Sequence, residues 1–182
     1  MFKRSLTRTL VLITSLIVLT ACGDNSANPP KEVPFAERPI ASESERDQLI
    51  LDLSNFYLAS LTDLVSNYND NKKRDPSIYI DWRNKEWLPS YTEQKEQLFA
   101  KVNHYQIGAV DKDFAPLRSA LESLSLISEL FERSLSKNDP FLRTEIMLQL
   151  QKGASSIIQT ARSRNLEGRL IFPEELSRRI PK

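Results

Sequence analysis

From Leu49 to Ala161, with one interruption, the apolar residues of this chain recur three to five positions apart. That spacing lays one apolar stripe along an α-helix and is incompatible with the two-residue alternation of a half-buried strand. The whole chain has four glycines in 182 residues, and alternating β-branched runs are few, which argues against a sandwich or a barrel. The pattern predicts an all-α fold, a small helical bundle of about four helices.

Ser42 followed by Glu45 reads as a capping box that opens a first helix over 43–69, with Leu49, Leu53, Phe56, Leu61, Leu64 and Tyr68 facing inward. Ser90 and Glu93 repeat that pattern before a shorter second helix over 91–105. Asp113 is the expected N-cap of a third, whose period runs through Leu117, Leu121, Leu124, Ile127 and Leu135. Asn138-Asp139-Pro140 supplies a cap and a first-turn proline for a fourth, with Phe141, Ile146, Met147, Leu150, Ala154, Ile157, Ile158 and Ala161 as its inner face and Gly168 as its stop. So short a connection predicts that the third and fourth helices pack as an antiparallel hairpin.

The interruption is NDNKKRDPSIYIDWRNKEWLPSY, residues 69–91, expected to be a long aromatic-rich loop between the first and second helices. Loops of that length inside a domain are often functional, and Ile78, Ile80 and the aromatic residues argue against disorder. Tyr79, Trp82, Trp87 and Tyr91 are the candidate binding residues, since tyrosine and tryptophan join apolar area to a hydrogen-bonding tip, and Asp81, Arg83, Lys85 and Glu86 supply a polar rim. The competing expectation is that the two tryptophans only cover one end of the bundle.

The N-terminus carries a different message. Lys3, Arg4 and Arg8 precede LVLITSLIVL, in which eight of ten residues are strongly apolar. A basic region leading into an apolar one is the layout of an export signal, and the run falls short of the ~20 apolar residues that a membrane span requires. Leu19-Thr20-Ala21-Cys22 closes it, and these four residues resemble the lipobox of bacterial lipoprotein precursors. The resemblance implies cleavage between Ala21 and Cys22, a diacylglyceryl group on the Cys22 sulfur and an acyl chain, such as palmitate, on the new amino terminus. Each buried CH₂ contributes ~0.8 kcal/mol, so two or more chains hold a protein stably at a bilayer. The resemblance also implies a destination: in enteric bacteria of this class an aspartate after the cysteine retains the protein in the inner membrane, and Gly23 at that position implies the outer membrane, facing the periplasm. Cys22 is the one cysteine of the chain, so no disulfide staples the fold. The expected organisation is a signal peptide over 1–21, the acylated cysteine with a tether containing Pro29, Pro30, Pro34 and Pro39 over 22–41, and a single helical domain over 42–182.

Residues 1–21 hold three of the 25 Lys and Arg and none of the 24 Asp and Glu, leaving 22 basic against 24 acidic, net −2. Such a balance points away from nucleic acid. The acids crowd the first helix (Glu43, Glu45, Asp47, Asp52, Asp63, Asp70) and the bases the C-terminal part (Lys152, Arg162, Arg164, Arg169, Arg178, Arg179, Lys182), so the two regions are expected to be complementary neighbours or a basic patch for an acidic surface. His104 is the only histidine, and a metal site or histidine-based catalysis cannot be assembled around it. Ser134-Leu135-Ser136-Lys137 formally matches an S-x-x-K motif but lacks the K-T-G strand that such chemistry needs. The paired acids Asp111/Asp113 and Glu174/Glu175 read as caps and solvated loop residues. No catalytic residue, metal or cofactor is expected. The anticipated role is a scaffold or accessory lipoprotein of an envelope complex, with the membrane and an envelope protein as partners; the alternative is a module that binds a small ligand, cell wall or lipid through Trp82 and Trp87.

Overall fold

A computed structural model describes residues 32–137 and 140–172 and is all-helical, with no strand among the described residues. Helix α1 (Glu43–Asn71) starts at the expected capping box: the Ser42 hydroxyl accepts from the Glu45 amide at 3.3 Å, and the Glu45 carboxylate accepts from the Ser42 amide at 2.8 Å. Between α1 and the C-terminal helices stand a short helix α2 (Pro76–Trp82) and helix α3 (Leu88–Asn103), joined by a π-helical turn, Arg83–Trp87. Helices α4 (Phe114–Lys137) and α5 (Pro140–Ser163) make the most extensive helix contact and pack as the expected hairpin, against which α1 is laid. The four long helices form the bundle. None of the described helices is long and apolar enough to cross a membrane.

The segment expected to be a loop is therefore mostly helical. Asp75 caps α2 through its bond from the Ser77 amide, Pro76 occupies the first turn, and α3 is already helical at Leu88, ahead of the Ser90 cap expected for it. Its period escapes the usual search because the π-turn inserts an extra residue. Tyr79 to Trp82 is a step of three and Trp87 to Tyr91 a step of four, but Trp82 to Trp87 is five.

The core is drawn from α1 (Ile50, Leu53, Tyr57, Leu61, Leu64), α4 (Phe114, Leu117, Leu121, Leu124, Ile127) and α5 (Leu142, Ile146, Ile157, Ala161). Each fully buried Leu, Ile or Phe contributes about 1.5–3 kcal/mol. Helix α4 buries the face expected of it. In α5 the buried stripe runs through Leu142, Ile146, Gly153, Ile157 and Ala161, so Phe141 and Met147, expected inside, are exposed. The helix is apolar on more than one side, and packing against α1 and α4 chose between stripes.

Helix α5 is stopped at Asn165, not at Gly168. Asn165 adopts φ 58°, its amide donates to the Arg162 carbonyl at 3.0 Å, and the Leu166 amide donates to the Ala161 carbonyl at 2.8 Å. This pair of bonds is a Schellman stop, and asparagine tolerates the left-handed conformation it requires. At the other end of the chain the folded unit begins at Val33. Residues from the proline-bearing tether dock on the turn after α3: the Gln106 amide donates to the Pro39 carbonyl, and its side chain donates to the carbonyls of Ala36 and Arg38.

Candidate functional site

Two polar-apolar stripes of matching period meet on one flank of the bundle. Phe56, Ala59, Ser60 and Asp63 stand at i, i+3, i+4 and i+7 on α1; Trp87, Ser90, Tyr91 and Gln94 repeat that spacing from the π-turn into α3. Together with Trp82 and Glu86 they line an open groove of about 350 Å³.

Its floor is a continuous aromatic stack. Phe56 and Tyr91 lie parallel with centroids 5.3 Å apart, Tyr91 and Trp87 parallel at 4.7 Å, and Trp87 meets Trp82 at 6.4 Å and a tilt of 42°. Tyr79 continues the series inward, 5.9 Å from Trp82 and edge-on to Tyr68 and Phe131. Of the four expected binding residues, the fold thus joins all in one cluster but buries Tyr79, Trp87 and Tyr91 and leaves only Trp82 half-buried. The tyrosine tips are committed to the interior. Tyr79 donates to the Ser128 carbonyl at 3.2 Å and Tyr91 donates to the Leu121 carbonyl, while burial pushes both phenols well above their ordinary pKa and keeps them neutral.

The expected polar rim divides in two. Lys85 pairs with Asp81 at 2.8 Å, and Arg83 turns away from the groove to bond the Ser128 hydroxyl and the Glu132 carboxylate, each at 3.0 Å. Glu86 and Asp63 remain in the groove with no hydrogen bond or ion pair to the described residues. Partial burial raises the Asp63 carboxyl above the ordinary aspartate value. Ser60 lies beside them, 6% exposed and with no hydrogen-bond partner for its hydroxyl among the described residues. Sequence reasoning passed over Phe56, Ser60 and Asp63; the signal was a serine and an aspartate inside an otherwise apolar i, i+4, i+7 series.

The other singled-out residues have structural roles. His104 is exposed and occupies the C-cap of α3. Ser134 donates to the Phe131 carbonyl at 2.8 Å and meets the Tyr68 hydroxyl at 3.0 Å, and Lys137 closes α4. Asp111, rather than Asp113, caps α4 by accepting from the amides of Asp113 and Phe114, because the Asp113 carboxylate faces Arg46. Arg46 also holds Asp111 at 2.9 Å. The uneven charge resolves in part within the fold: Arg164, at the end of α5, bonds Asp47 at 2.6 Å and Glu43 at 2.5 Å at the start of α1. Ala21, Cys22, Glu174, Glu175, Arg178, Arg179 and Lys182 lie outside the described residues. No group of His, Cys, Asp and Glu suited to a metal ion occurs among the described residues. The chain matches no protein-family model, no curated protein and no solved structure.

Proposed function

We propose that this chain is a lipid-anchored accessory protein of the bacterial cell envelope, held by acyl chains on Cys22 with its helical bundle facing the periplasm and contacting an envelope protein. The structural observation that supports it is the outward face of α5. Met147 and Leu148, neighbours in sequence there, are 59% and 57% exposed. Large apolar side chains left on the surface of a helix are those that contact with another protein or a bilayer would bury.

Two measurements test this reading. Mass spectrometry of the native protein is expected to show a chain beginning at an acylated Cys22; an intact residue 1 or an unmodified thiol at position 22 removes the anchor. Crosslinking in cells followed by affinity capture is expected to recover the same envelope protein reproducibly from the native lipoprotein and to lose it in Met147→Ser/Leu148→Ser. Recovery of none sinks the accessory role.

A second reading has its own observation, the open groove that contains both tryptophans. Under it the protein binds a small ligand there. Titration of tryptophan emission with peptidoglycan fragments, lipids and lipopolysaccharide tests it, and a spectrum indifferent to all of them counts against it.

A further inference from the structure

One end of the bundle gathers the start of α1, the turn between α3 and α4, and the close of α5. Arg46 bonds Asp111 at 2.9 Å, Tyr105 donates to Glu45 at 3.0 Å, and Arg164 bonds Asp47 at 2.6 Å. The tether docks on this same end, and it is fastened by its backbone. Gln106 takes the carbonyls of Ala36, Arg38 and Pro39, and the Arg38 guanidinium donates to the Val33 carbonyl at 3.1 Å. The apolar side chains are thereby left outside: the helical turn Phe35–Glu37 buries none of its residues, and Val33, Phe35 and Ile40 are 53%, 49% and 81% exposed. Val110, in the adjoining turn closed by the Asp111 amide on the Gly108 carbonyl, is 92% exposed. We propose that this end of the bundle rests on the bilayer that holds Cys22, with Val33, Phe35, Ile40 and Val110 entering the headgroup boundary. The inference rests on the lipid-anchored reading above and adds to it the surface that meets the lipid.

The length of chain between the anchor and the fold carries the argument. Only residues 23–32 separate Cys22 from Val33, a link that spans at most about 40 Å however it is arranged. Helix α1, with 29 residues, is about 43 Å long. Only a fully stretched link would therefore let the far end of the bundle turn back to the surface, whereas the docked end stays beside it at every shorter extension. A tether left free as far as Ala41 would lose that bias; the bonds to Gln106 create it. Charge selects the kind of surface. The Asp111 carboxylate is taken by Arg46, and the acids Glu32 and Glu37 are balanced by Arg38 and Lys112. A neutral set of this kind suits zwitterionic phospholipid, where apolar side chains rather than net charge supply the attraction. The arrangement also leaves Met147 and Leu148 free for a protein, because at 1.5 Å per residue Met147 stands about 24 Å along α5 from its Ser163 end.

The test uses the native lipoprotein reconstituted in vesicles of phosphatidylethanolamine and phosphatidylcholine. Acylation blocks the sulfur of Cys22, the one cysteine of the chain, so Ala109→Cys and Met147→Cys each offer a single thiol at an exposed position for a nitrobenzoxadiazole dye. Nitroxide lipids, spin-labelled near the headgroup, then read the depth of each dye. The dye at 109 is expected to lose about half its emission, at the depth of ~5–10 Å that interfacial apolar groups reach. The dye at 147 is expected to lose almost none. Val33→Ser/Phe35→Ser/Ile40→Ser/Val110→Ser, added to Ala109→Cys, is expected to restore the emission while the protein still floats with the vesicles. Equal quenching at the two positions, or none at either, overturns the inference and leaves the anchor standing, as does quenching that survives the four serines. Labelling of the natural chain itself reveals a bare thiol at Cys22 and removes the anchored reading and the inference together. Should the serine variant fail to fold, the comparison of 109 with 147 decides by itself.

Discussion

Tyr57 on α1 reaches α5 at the one position where α5 has no side chain, Gly153. A Cβ built on Gly153 would lie 2.9 Å from the tyrosine Cζ and closer still to its hydroxyl oxygen, so the glycine is what lets the two helices close over this ring. Tyr57 is fully buried and its hydroxyl has no hydrogen-bond partner among the described residues. Burial accordingly drives its phenol above the ordinary pKa.

Gly153→Ala is expected to destabilise the protein by about 1–3 kcal/mol, although alanine is the better helix former by ~1 kcal/mol, because the methyl overlaps a ring that cannot move aside. Tyr57→Phe, which deletes an unsatisfied hydroxyl, is expected to leave stability unchanged or raise it by up to about 1 kcal/mol. Urea unfolding of both single variants and the double variant measures their coupling. An alanine penalty as large in the Tyr57→Phe background as in the natural chain contradicts the overlap.

Arg164 ties the last turn of α5 to the first turns of α1 through Glu43 and Asp47, and its guanidinium is held charged chiefly by the Asp47 bond. Arg164→Ala is expected to cost about 1–2 kcal/mol, between the values for exposed and buried pairs. Arg164→Lys should restore little of it, since a single ammonium cannot span two carboxylates as a fork does. Thermal unfolding at low and high salt checks this, the difference between variants narrowing as salt rises.

Acid should weaken the Arg46–Asp111 corner. Burial alone would raise the Asp111 carboxyl, but the Arg46 bond and the Asp113 and Phe114 amides outweigh it and hold it below the ordinary 3.8. A carboxylate depressed in the folded state contributes stability that is complete above its unfolded value and is lost as pH falls through the folded one. Stability is therefore expected to be insensitive to this group from pH 7 to about 5 and to drop by about 1 kcal/mol below pH 4. Asp111→Asn, which keeps a capping oxygen, should lack that part of the acid loss in unfolding curves taken across this range.

The π-turn is fastened to α4 by Arg83. Arg83→Ala removes its bonds to Ser128 and Glu132 and is expected to cost about 1–2 kcal/mol. Because Trp82 and Trp87 flank the released turn, their emission should shift to longer wavelength before global unfolding in urea. A variant with unchanged emission and unchanged midpoint shows that the turn is held by its aromatic stack alone.

Local rules were legible wherever the interacting groups lie within one or two helical turns of each other. The capping box Ser42/Glu45, the buried face of α4 and the α4–α5 hairpin could be read from spacing and short connections, and with them the all-α class. The aromatic cluster could be read as a composition but not as a site: its helical form hides behind the five-residue step from Trp82 to Trp87, and its groove exists only because α1 brings Ser60 and Asp63 to face it. The diversion of Asp113 to Arg46 and the docking of Ala36 and Arg38 on Gln106 were likewise decided by partners some 65–70 positions away, and the inner stripe of α5 by the helices packed against it. Sequence alone determined that the segments now α1, α4 and α5 are helical and where the first begins, because backbone capping and side-chain spacing are local. Only tertiary packing decided which of two apolar stripes is buried and which acids stay unpaired, because those choices depend on what the rest of the chain places opposite them.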